Sequence, residues 1–322
     1  MAGQFDNPLL LRPPVEALDW VAASIGPEAE VVCVRRLTEG RWHANHVVAV
    51  REPGGGEQEV VLRRWARPEW KSEDPDFTPA RETVALELLG QSAVVTPRVI
   101  AADLDGSACD VPALLTDKLP GDPPRQPRDI DAFVRQLAEA LPAIHAIDSE
   151  ARTRLPPYRR YYEDLTAAAP PDWARKPGLW KRASAVAAGV PPAGRECFIH
   201  RDYHPGNTLW SDGRLTGVVD WTQASWGPAA VDTAHMRWNL AVGYGLDAAD
   251  GFLAHYRRLS SDTEADQHYW DLVTLLDIAL ADLDLEDLPP TWELDRFEQY
   301  LESVLEGWAP TGGASIAPSR RP

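Results

Sequence analysis

The order of apolar and polar positions gives the first part of the chain the character of a sheet. Residues 15–25 carry apolar side chains at helical spacing, and three strand-like runs follow. These runs are EVVCVRRL (30–37), NHVVAVRE (45–52) and EVVLRRW (59–65). The glycine-rich PGGGEQ joins the second run to the third and favours a hairpin. We therefore predict an antiparallel sheet.

A helix and two more strands complete this part. PARETVALELLGQ (79–91) has helical spacing, and Thr78 before it is a candidate cap. VVTPRVIAAD (94–103) and VPALLTDKL (111–119) are typical of strands. The proline-rich GDPPRQP (121–127) then predicts a break.

Beyond this break the pattern is mainly helical. Residues 129–148 are amphipathic, and the chain is again helical from VDTAHMRWNLAV to EQYLESVLEGW. Between them, 198–210 and 214–221 form a short β island. The sequence thus predicts an α+β fold with two lobes. We divide it into a β-rich lobe (1–115), a hinge (116–121), a helical lobe (122–308) and a disordered tail (309–322).

Composition excludes several classes of protein. The net charge of −17 argues against nucleic acid as a partner, because phosphates favour basic patches. No apolar run approaches the ~20 residues of a membrane helix, and no signal peptide is recognisable. The three scattered cysteines argue against disulfides. We therefore expect a cytoplasmic protein without nucleic-acid or membrane partners.

The richest chemistry lies in FIHRDYHPGNTLW (198–210), which allows three interpretations. His200, Asp202 and His204 alternate along a strand and could hold zinc in a hydrolase. The same residues could form a polar turn. Alternatively, His200, Asp202 and Asn207 match H-x-D-x-x-x-x-N, the kinase pattern in which the Asp takes the acceptor's proton and the Asn holds Mg²⁺.

Four further features favour the kinase interpretation. Asp220 ends an apolar run thirteen residues after Asn207, where a kinase-like fold has its second metal-binding aspartate. Arg63 lies on the third strand, where a cation contacts phosphates, and Glu82 lies on the following helix. Gly40 lies between strands one and two, where a loop covers the phosphates.

The chain resembles the aminoglycoside phosphotransferase family, small-molecule kinases that share the protein-kinase fold. The resemblance is carried by ARETVALELL, TPRVIAAD, LLTDKLPG, LAEALPAIHAID, FIHRDYHPGNTLW and GVVDWTQASWGPAAVD. It implies transfer of phosphate from ATP or GTP, with Asp202 as the catalytic aspartate and Asn207 and Asp220 as Mg²⁺ ligands. It also implies that Arg63 contacts the phosphates and that Glu82 orients Arg63.

The resemblance further implies that residues 1–115 form a nucleotide-binding lobe and residues 122–308 a catalytic and acceptor-binding lobe. It places the purine at the hinge and a supporting residue next to the catalytic loop. Thr116, Asp117 and Lys118 would line the purine through backbone groups, and Asp232 would buttress the loop. Two departures stand out: the phosphate cation is an arginine where kinases generally have lysine, and the loop has the single glycine Gly40. Side chains such as that of Asn45 are therefore expected to supply some phosphate contacts.

The acceptor is constrained mainly by an acidic segment, residues 275–298. Its carboxylates suit a cationic, hydroxyl-bearing aminoglycoside, although a solvated acidic face would look the same. The thirteen tryptophans could instead line a pocket for a macrolide or another uncharged hydroxylated metabolite, or simply pack the core. A pseudokinase that binds without turnover is a further alternative, which the presence of Asp202, Asn207 and Asp220 disfavours.

Overall fold

The structure is a computed structural model that describes residues 11–37, 43–67, 77–147, 150–161, 165, 169–260, 267–281 and 291–308. The predicted phosphate loop with Gly40, the carboxylates of residues 282–287 and the predicted tail 309–322 lie outside the described residues.

The N-terminal part contains a five-stranded antiparallel sheet in the order β1-β2-β3-β5-β4. Its strands are β1 (Glu30–Arg36), β2 (Ala44–Arg51), β3 (Glu57–Arg64), β4 (Val99–Asp103) and β5 (Ala113–Asp117). The predicted hairpin joins β2 to β3, so Asn45 lies opposite Arg63. The register therefore places two of the predicted nucleotide-binding residues side by side.

Each face of this sheet has its own apolar partner. Alternate residues of β3, among them Val60 and Leu62, are fully buried and share a small core with Ala17 and Val21. Ala17 and Val21 belong to α1 (Val15–Ile25). Leu114 of β5 belongs instead to the larger core of the helical part. The sheet is thus held between one N-terminal helix and the rest of the protein.

Helix α2 (Pro79–Leu89) connects the sheet to the helical part. Thr78 caps it as predicted, because its Oγ1 accepts a hydrogen bond from the N–H of Arg81 at 3.1 Å. Its apolar residues Ala85, Leu86 and Leu89 belong to the larger core.

The C-terminal part is mainly helical and packs around the larger core. Its helices are α3 (Ile130–His145), α4 (Glu150–Arg154), α5 (Pro177–Ala187), α6 (Ala230–Tyr244), α7 (Leu246–Leu259), α8 (Gln267–Ala281) and α9 (Thr291–Gly307). Within the described residues, no helix is long and apolar enough to cross a membrane.

Two small antiparallel sheets form the predicted β island. Strand β6 (Glu196–Ile199) pairs with β9 (Ser225–Pro228), and β7 (Thr208–Ser211) pairs with β8 (Arg214–Val218). Residues Asp212 and Gly213 of the β7–β8 turn both have positive φ, as tight hairpins require.

The α+β prediction, with an antiparallel N-terminal sheet followed by helices, is confirmed. The predicted strand 94–103 was too long, because β4 begins only at Val99. Pro97 has no N–H to give to a ladder, and the carbonyl of Val95 accepts the N–H of Val218 at 2.9 Å instead. Strand β9 was not predicted.

Candidate active site

Asp202 and Asn207 lie on the short loop between β6 and β7. A single 3₁₀ turn, Pro205–Asn207, brings Asn207 back toward Asp202. The Nδ2 group of Asn207 donates to the Asp202 carbonyl at 3.0 Å and to its Oδ2 at 2.9 Å. The backbone N–H of Val219 donates to the Asn207 carbonyl at 2.9 Å, which ties this loop to the end of β8.

Asp232 of α6 accepts hydrogen bonds from the backbone of this loop. Its carboxylate, which is fully buried, accepts the N–H groups of His200 at 2.9 Å and of Arg201 at 2.6 Å. His145 Nε2 lies 3.0 Å from the same carboxylate. Arg201 has φ of 70°, a conformation that residues other than glycine rarely adopt. The contacts to Asp232 therefore stabilise a loop conformation that is unfavourable in isolation.

Asp220 lies at the end of β8 and also has a left-handed backbone, with φ of 65°. Its Oδ1 accepts hydrogen bonds from Thr222 Oγ1 and from Arg63 Nη1, each at 2.8 Å. Burial raises the pKa of this carboxyl, but the charge of Arg63 outweighs burial and the pKa lies below its usual range. Asp220 is therefore ionised at neutral pH.

Arg63 also pairs with Glu82, so its guanidinium lies between two carboxylates. Its Nη1 is 3.0 Å from Glu82 Oε1 and 3.1 Å from Oε2. The Glu82 side chain is only 5% exposed, and burial raises its pKa to about 7 against the opposing charge of Arg63. The arginine of β3, the glutamate of α2 and the aspartate after β8 thus meet at one point.

Buried polar atoms without partners lie beside this cluster. The ring of His43 stacks on Phe77, with centroids 4.7 Å apart, and meets Trp65 edge-on at 4.5 Å. Burial and the charge of Arg63 lower the pKa of His43 to about 3, which keeps the ring neutral. His43 Nε2 and Asn45 Oδ1 have no hydrogen-bond partner within the described chain. Both atoms are chemically suited to contact a ligand.

The predicted purine-binding residues form the end of β5 and its continuation. Thr116 is buried opposite Val61, and Asp117 accepts the Arg98 N–H at 2.7 Å and the Arg98 Nε at 2.9 Å. Lys118 Nζ lies 3.3 Å from Glu59. The side chains of Asp117 and Lys118 therefore already have partners, and the Asp117 N–H donates to the Arg98 carbonyl at 3.1 Å.

The geometry of His200, Asp202 and His204 does not support a zinc site. His200 is fully buried, and its Nε2 lies 3.0 Å from the Val219 carbonyl. His204 Nδ1 accepts the N–H of Gly206, and its Nε2 is 3.8 Å from Asp202 Oδ2. Within the described ranges, no three His, Cys, Asp or Glu side chains are grouped as metal ligands. The three side chains do not converge on a common point.

Two residues near the site were missed by sequence reasoning. Arg81 is buried at the start of α2, where it donates to the carbonyls of Gln223 and Ala224 and to Ser225 Oγ, each at 2.7 Å. His235 of α6 has its Nε2 3.1 Å from Asp202 Oδ1. Both residues lie at buried positions of their helices. A charged or polar residue among the apolar positions of a helix is the sequence signal that could have identified them.

One of the carboxylates of the acidic segment is connected, through Tyr161, to the loop that holds Arg201 and Asp202. Asp277 is buried in α8 and accepts the N–H of Tyr161 at 3.0 Å. The guanidinium of Arg201 lies 4.1 Å from the centroid of the Tyr161 ring. By contrast, Asp295 pairs with Arg175. Within the described part of this segment, Asp277 thus has an indirect contact with Arg201, whereas Asp295 pairs with a different residue.

Comparisons with known proteins agree on one family and one fold. The sequence model of the family described as APH, phosphotransferase enzyme family, matches residues 34–269, which is well over half of the chain. No curated protein matches the sequence significantly.

Solved structures of similar fold include macrolide and aminoglycoside phosphotransferases. Macrolide 2′-phosphotransferase MphH from Brachybacterium faecium is 20% identical with a TM-score of 0.59, over 88% of this chain and 97% of that one. A thermostable mutant of aminoglycoside phosphotransferase APH(4)-Ia, in ternary complex with ADP and hygromycin B, is 14% identical with a TM-score of 0.62, over 92% and 100%. Aminoglycoside-3′-phosphotransferase of type VIII is 22% identical with a TM-score of 0.54, over 82% and 99%. These likenesses confirm the predicted kinase-like fold.

Proposed function

This chain belongs to the phosphotransferase enzyme family, and from that premise we propose that it is a small-molecule kinase that transfers the γ-phosphate of a nucleoside triphosphate to a hydroxyl group. The observation that carries the proposal is the contact of Arg63 with Asp220 at 2.8 Å. It joins the sheet to the segment after β8, which the hydrogen bond from the Val219 N–H to the Asn207 carbonyl ties to the loop that holds Asp202. This connection supports the assignment of these residues to one site.

The chemistry proposed for these groups is positioning and charge neutralisation. The acceptor oxygen forms a bond to the γ-phosphorus while the bond from that phosphorus to the β,γ-bridging oxygen breaks. The hydroxyl proton passes to Asp202, and the nucleoside diphosphate leaves with the bridging oxygen. Burial raises the pKa of Asp202, but His204 and His235 outweigh it and lower the pKa below its usual range. Asp202 is therefore ionised and able to accept a hydrogen bond from the acceptor.

Arg63 would bind the phosphates, with Glu82 holding its guanidinium in place. An arginine keeps its charge at any physiological pH and can contact two phosphate oxygens at once, so it can replace the more usual lysine. Asn45, on the neighbouring strand, would add a contact, as would the segment with Gly40, which lies outside the described residues. The backbone of Thr116, Asp117 and Lys118 would hold the base of ATP or GTP.

The residues present fit Mg²⁺. Asp220 and Asn207 offer oxygen donors, which this ion prefers. Asp220 Oδ1 is used by Arg63 and Thr222, while its Oδ2 accepts no hydrogen bond from the described residues. Asn207 uses its Nδ2 toward Asp202, which directs its amide oxygen elsewhere. When bound, the ion would supply positive charge to the nucleotide's phosphates.

The proposed acceptor is a hydroxyl-bearing small molecule, first a cationic aminoglycoside and second a macrolide-like natural product. A net charge of −17 favours a cation, and Asp277 brings one carboxylate next to the catalytic-loop contacts of Arg201 and Tyr161. Nucleoside triphosphates are abundant in the cytoplasm, where we expect the reaction to occur.

The proposal is tested by nucleotide consumption. The wild-type chain is incubated with MgATP or MgGTP and a panel of aminoglycosides, macrolides and neutral hydroxylated metabolites, and diphosphate formation is measured. We expect at least one acceptor to stimulate turnover and Asp202→Asn to abolish the stimulation. If no member of the panel yields a phosphorylated product, or if Asp202→Asn is as active as the wild type, the proposal is wrong.

A further inference from the structure

His235 approaches the proposed catalytic aspartate from the helical side. Its Nε2 lies 3.1 Å from Asp202 Oδ1, within hydrogen-bonding distance, while Asn207 Nδ2 takes Oδ2 at 2.9 Å. The two oxygens of the carboxylate are thus contacted from two directions. A carboxylate gripped at both oxygens cannot turn about its Cβ–Cγ bond without losing a partner.

The helix that carries His235 already holds the same loop by its backbone. Asp232 of α6 accepts the N–H groups of His200 and Arg201, and His235 follows three residues later. Residues three apart on a helix lie on one face, so α6 presents both contacts to the loop together. One rigid helix therefore fixes the backbone before Asp202 and the side chain of Asp202 itself.

The ring of His235 packs against two other rings. Trp238 meets it edge-on with centroids 5.6 Å apart, and the tilted ring of His204 lies 5.7 Å away. Trp238 in turn contacts Phe297 of α9 at 5.8 Å. Packing of this kind restricts the ring to one orientation, which is what a group that positions another requires.

The solvent exposure of the two side chains distinguishes the role of Asp202 from that of His235. The Asp202 side chain is 36% exposed, whereas that of His235 is 10% exposed. An acceptor molecule can thus reach Asp202, whereas the largely buried His235 is much less accessible to it. A carboxylate only accepts hydrogen bonds, so the Nε2 of His235 is the atom that must carry the proton in this pair.

We propose that His235 is a positioning residue, which donates from Nε2 to Asp202 Oδ1 and holds that carboxylate in the orientation in which it receives the acceptor's proton. The proposal rests on the proposed function and adds a residue that acts through Asp202. Loss of the donor is expected to lower the rate of the chemical step and to leave nucleotide binding unchanged, because the nucleotide is assigned to Arg63, Asn207 and Asp220.

The test compares three single variants by ADP release from MgATP, with water as the acceptor. His235→Leu removes the donor, and His235→Gln keeps an N–H of similar reach. His255→Leu is the matched control, because His255 Nε2 makes a His–Asp pair at 3.0 Å with the largely exposed Asp131. We expect His235→Leu to lower kcat by about 10- to 100-fold with an unchanged KM for MgATP, as misplacement of a reacting group does. His235→Gln should recover most of kcat, and His255→Leu should match the wild type.

A double variant separates positioning from folding. If His235 acts through Asp202, His235→Leu should lower kcat no further in the Asp202→Asn background. An equal loss in both backgrounds would overturn the proposal, as would a His235→Leu enzyme with normal kcat. If Asp202→Asn itself does not lower turnover, the proposed function fails instead, so the two failures are distinguishable.

A crystal structure of His235→Leu decides the question without reference to turnover. We expect the Asp202 carboxylate to leave its position or to occupy two orientations, with Asn207 and the loop backbone unchanged. A carboxylate that stays in place in the variant would show that Asn207 alone positions it, which would overturn the proposal.

Discussion

The Nη1 atom of Arg63 lies 2.8 Å from Oδ1 of Asp220, a residue 157 positions later in the chain. The same nitrogen contacts Glu82 at 3.0 Å, so a single cation pairs with the buried carboxylate of Glu82 and the partly exposed carboxylate of Asp220. Such a cluster contributes little net stability, since burial of the charges opposes their attraction, but it fixes where a phosphate-binding charge stands. Loss of Arg63 would leave both carboxylates without its compensating positive charge.

We expect Arg63→Met to lower kcat/KM for the nucleotide by about 10²- to 10³-fold, the usual cost of removing a group that stabilises developing charge. Arg63→Lys should lose less, because the charge remains while the two-pronged contact is lost. Steady-state kinetics with varied MgATP measures both.

Arg64 supplies a matched control for Arg63. It is the next residue on β3 and pairs with Asp110 instead of Glu82 and Asp220. Arg64→Met should leave nucleotide kinetics unchanged even if it destabilises the fold. Equal kinetic losses at both positions would argue that the sheet, and not a phosphate contact, is affected.

Glu82 should make stability fall as the pH rises toward neutrality. The unfolded chain releases this proton near the ordinary value of 4.5, whereas the folded protein holds it until about pH 7. Between these values the unfolded state binds fewer protons, so the contribution lost is on the order of 3 kcal/mol over that window. Denaturant unfolding of the wild type and Glu82→Gln at several pH values measures it, and the variant should show the flatter profile. Parallel profiles would contradict the assignment.

Arg81 should be a strong determinant of stability. Arg81→Met would remove the donor to the buried carbonyl of Ala224 and one of the two donors to the carbonyl of Gln223, which also accepts from Ser225 Oγ, at a cost of about 1 to 3 kcal/mol in the free energy of unfolding. Arg135 is the control, since it makes an exposed pair with Glu139, and its replacement by Met should cost less than about 0.5 kcal/mol. Similar losses in the two variants would show that the carbonyl contacts contribute little.

The elements that local pattern specifies were predicted well. The Thr78 cap and the hairpin between β2 and β3 both depend on neighbours within a few residues. Arg81 was missed because its partners lie 142 to 144 residues away. His235 was missed because its role depends on which face of α6 meets the loop, which one helical pattern cannot specify.

The salt dependence of the acceptor's KM tests its charge. A cation drawn toward acidic groups loses attraction as the screening length falls from about 10 Å at 0.1 M salt to 3 Å at 1 M. KM for a cationic acceptor should therefore rise several-fold over that range, and Asp277→Asn should raise it further at low salt. A neutral acceptor from the panel serves as the control. A KM for the preferred acceptor that is indifferent to salt would favour an uncharged, macrolide-like acceptor.

The most direct test of the account separates the two aspartates. Turnover is measured by diphosphate release, and nucleotide affinity is measured by calorimetry with and without Mg²⁺, for Asp202→Ala and Asp220→Ala. We expect Asp202→Ala to lower kcat by about 10²- to 10⁴-fold, the range of general base catalysis, with nucleotide affinity nearly unchanged. Asp220→Ala should abolish the part of nucleotide affinity that depends on Mg²⁺. Equal loss of nucleotide affinity in the two variants would contradict the division of roles between Asp202 and Asp220.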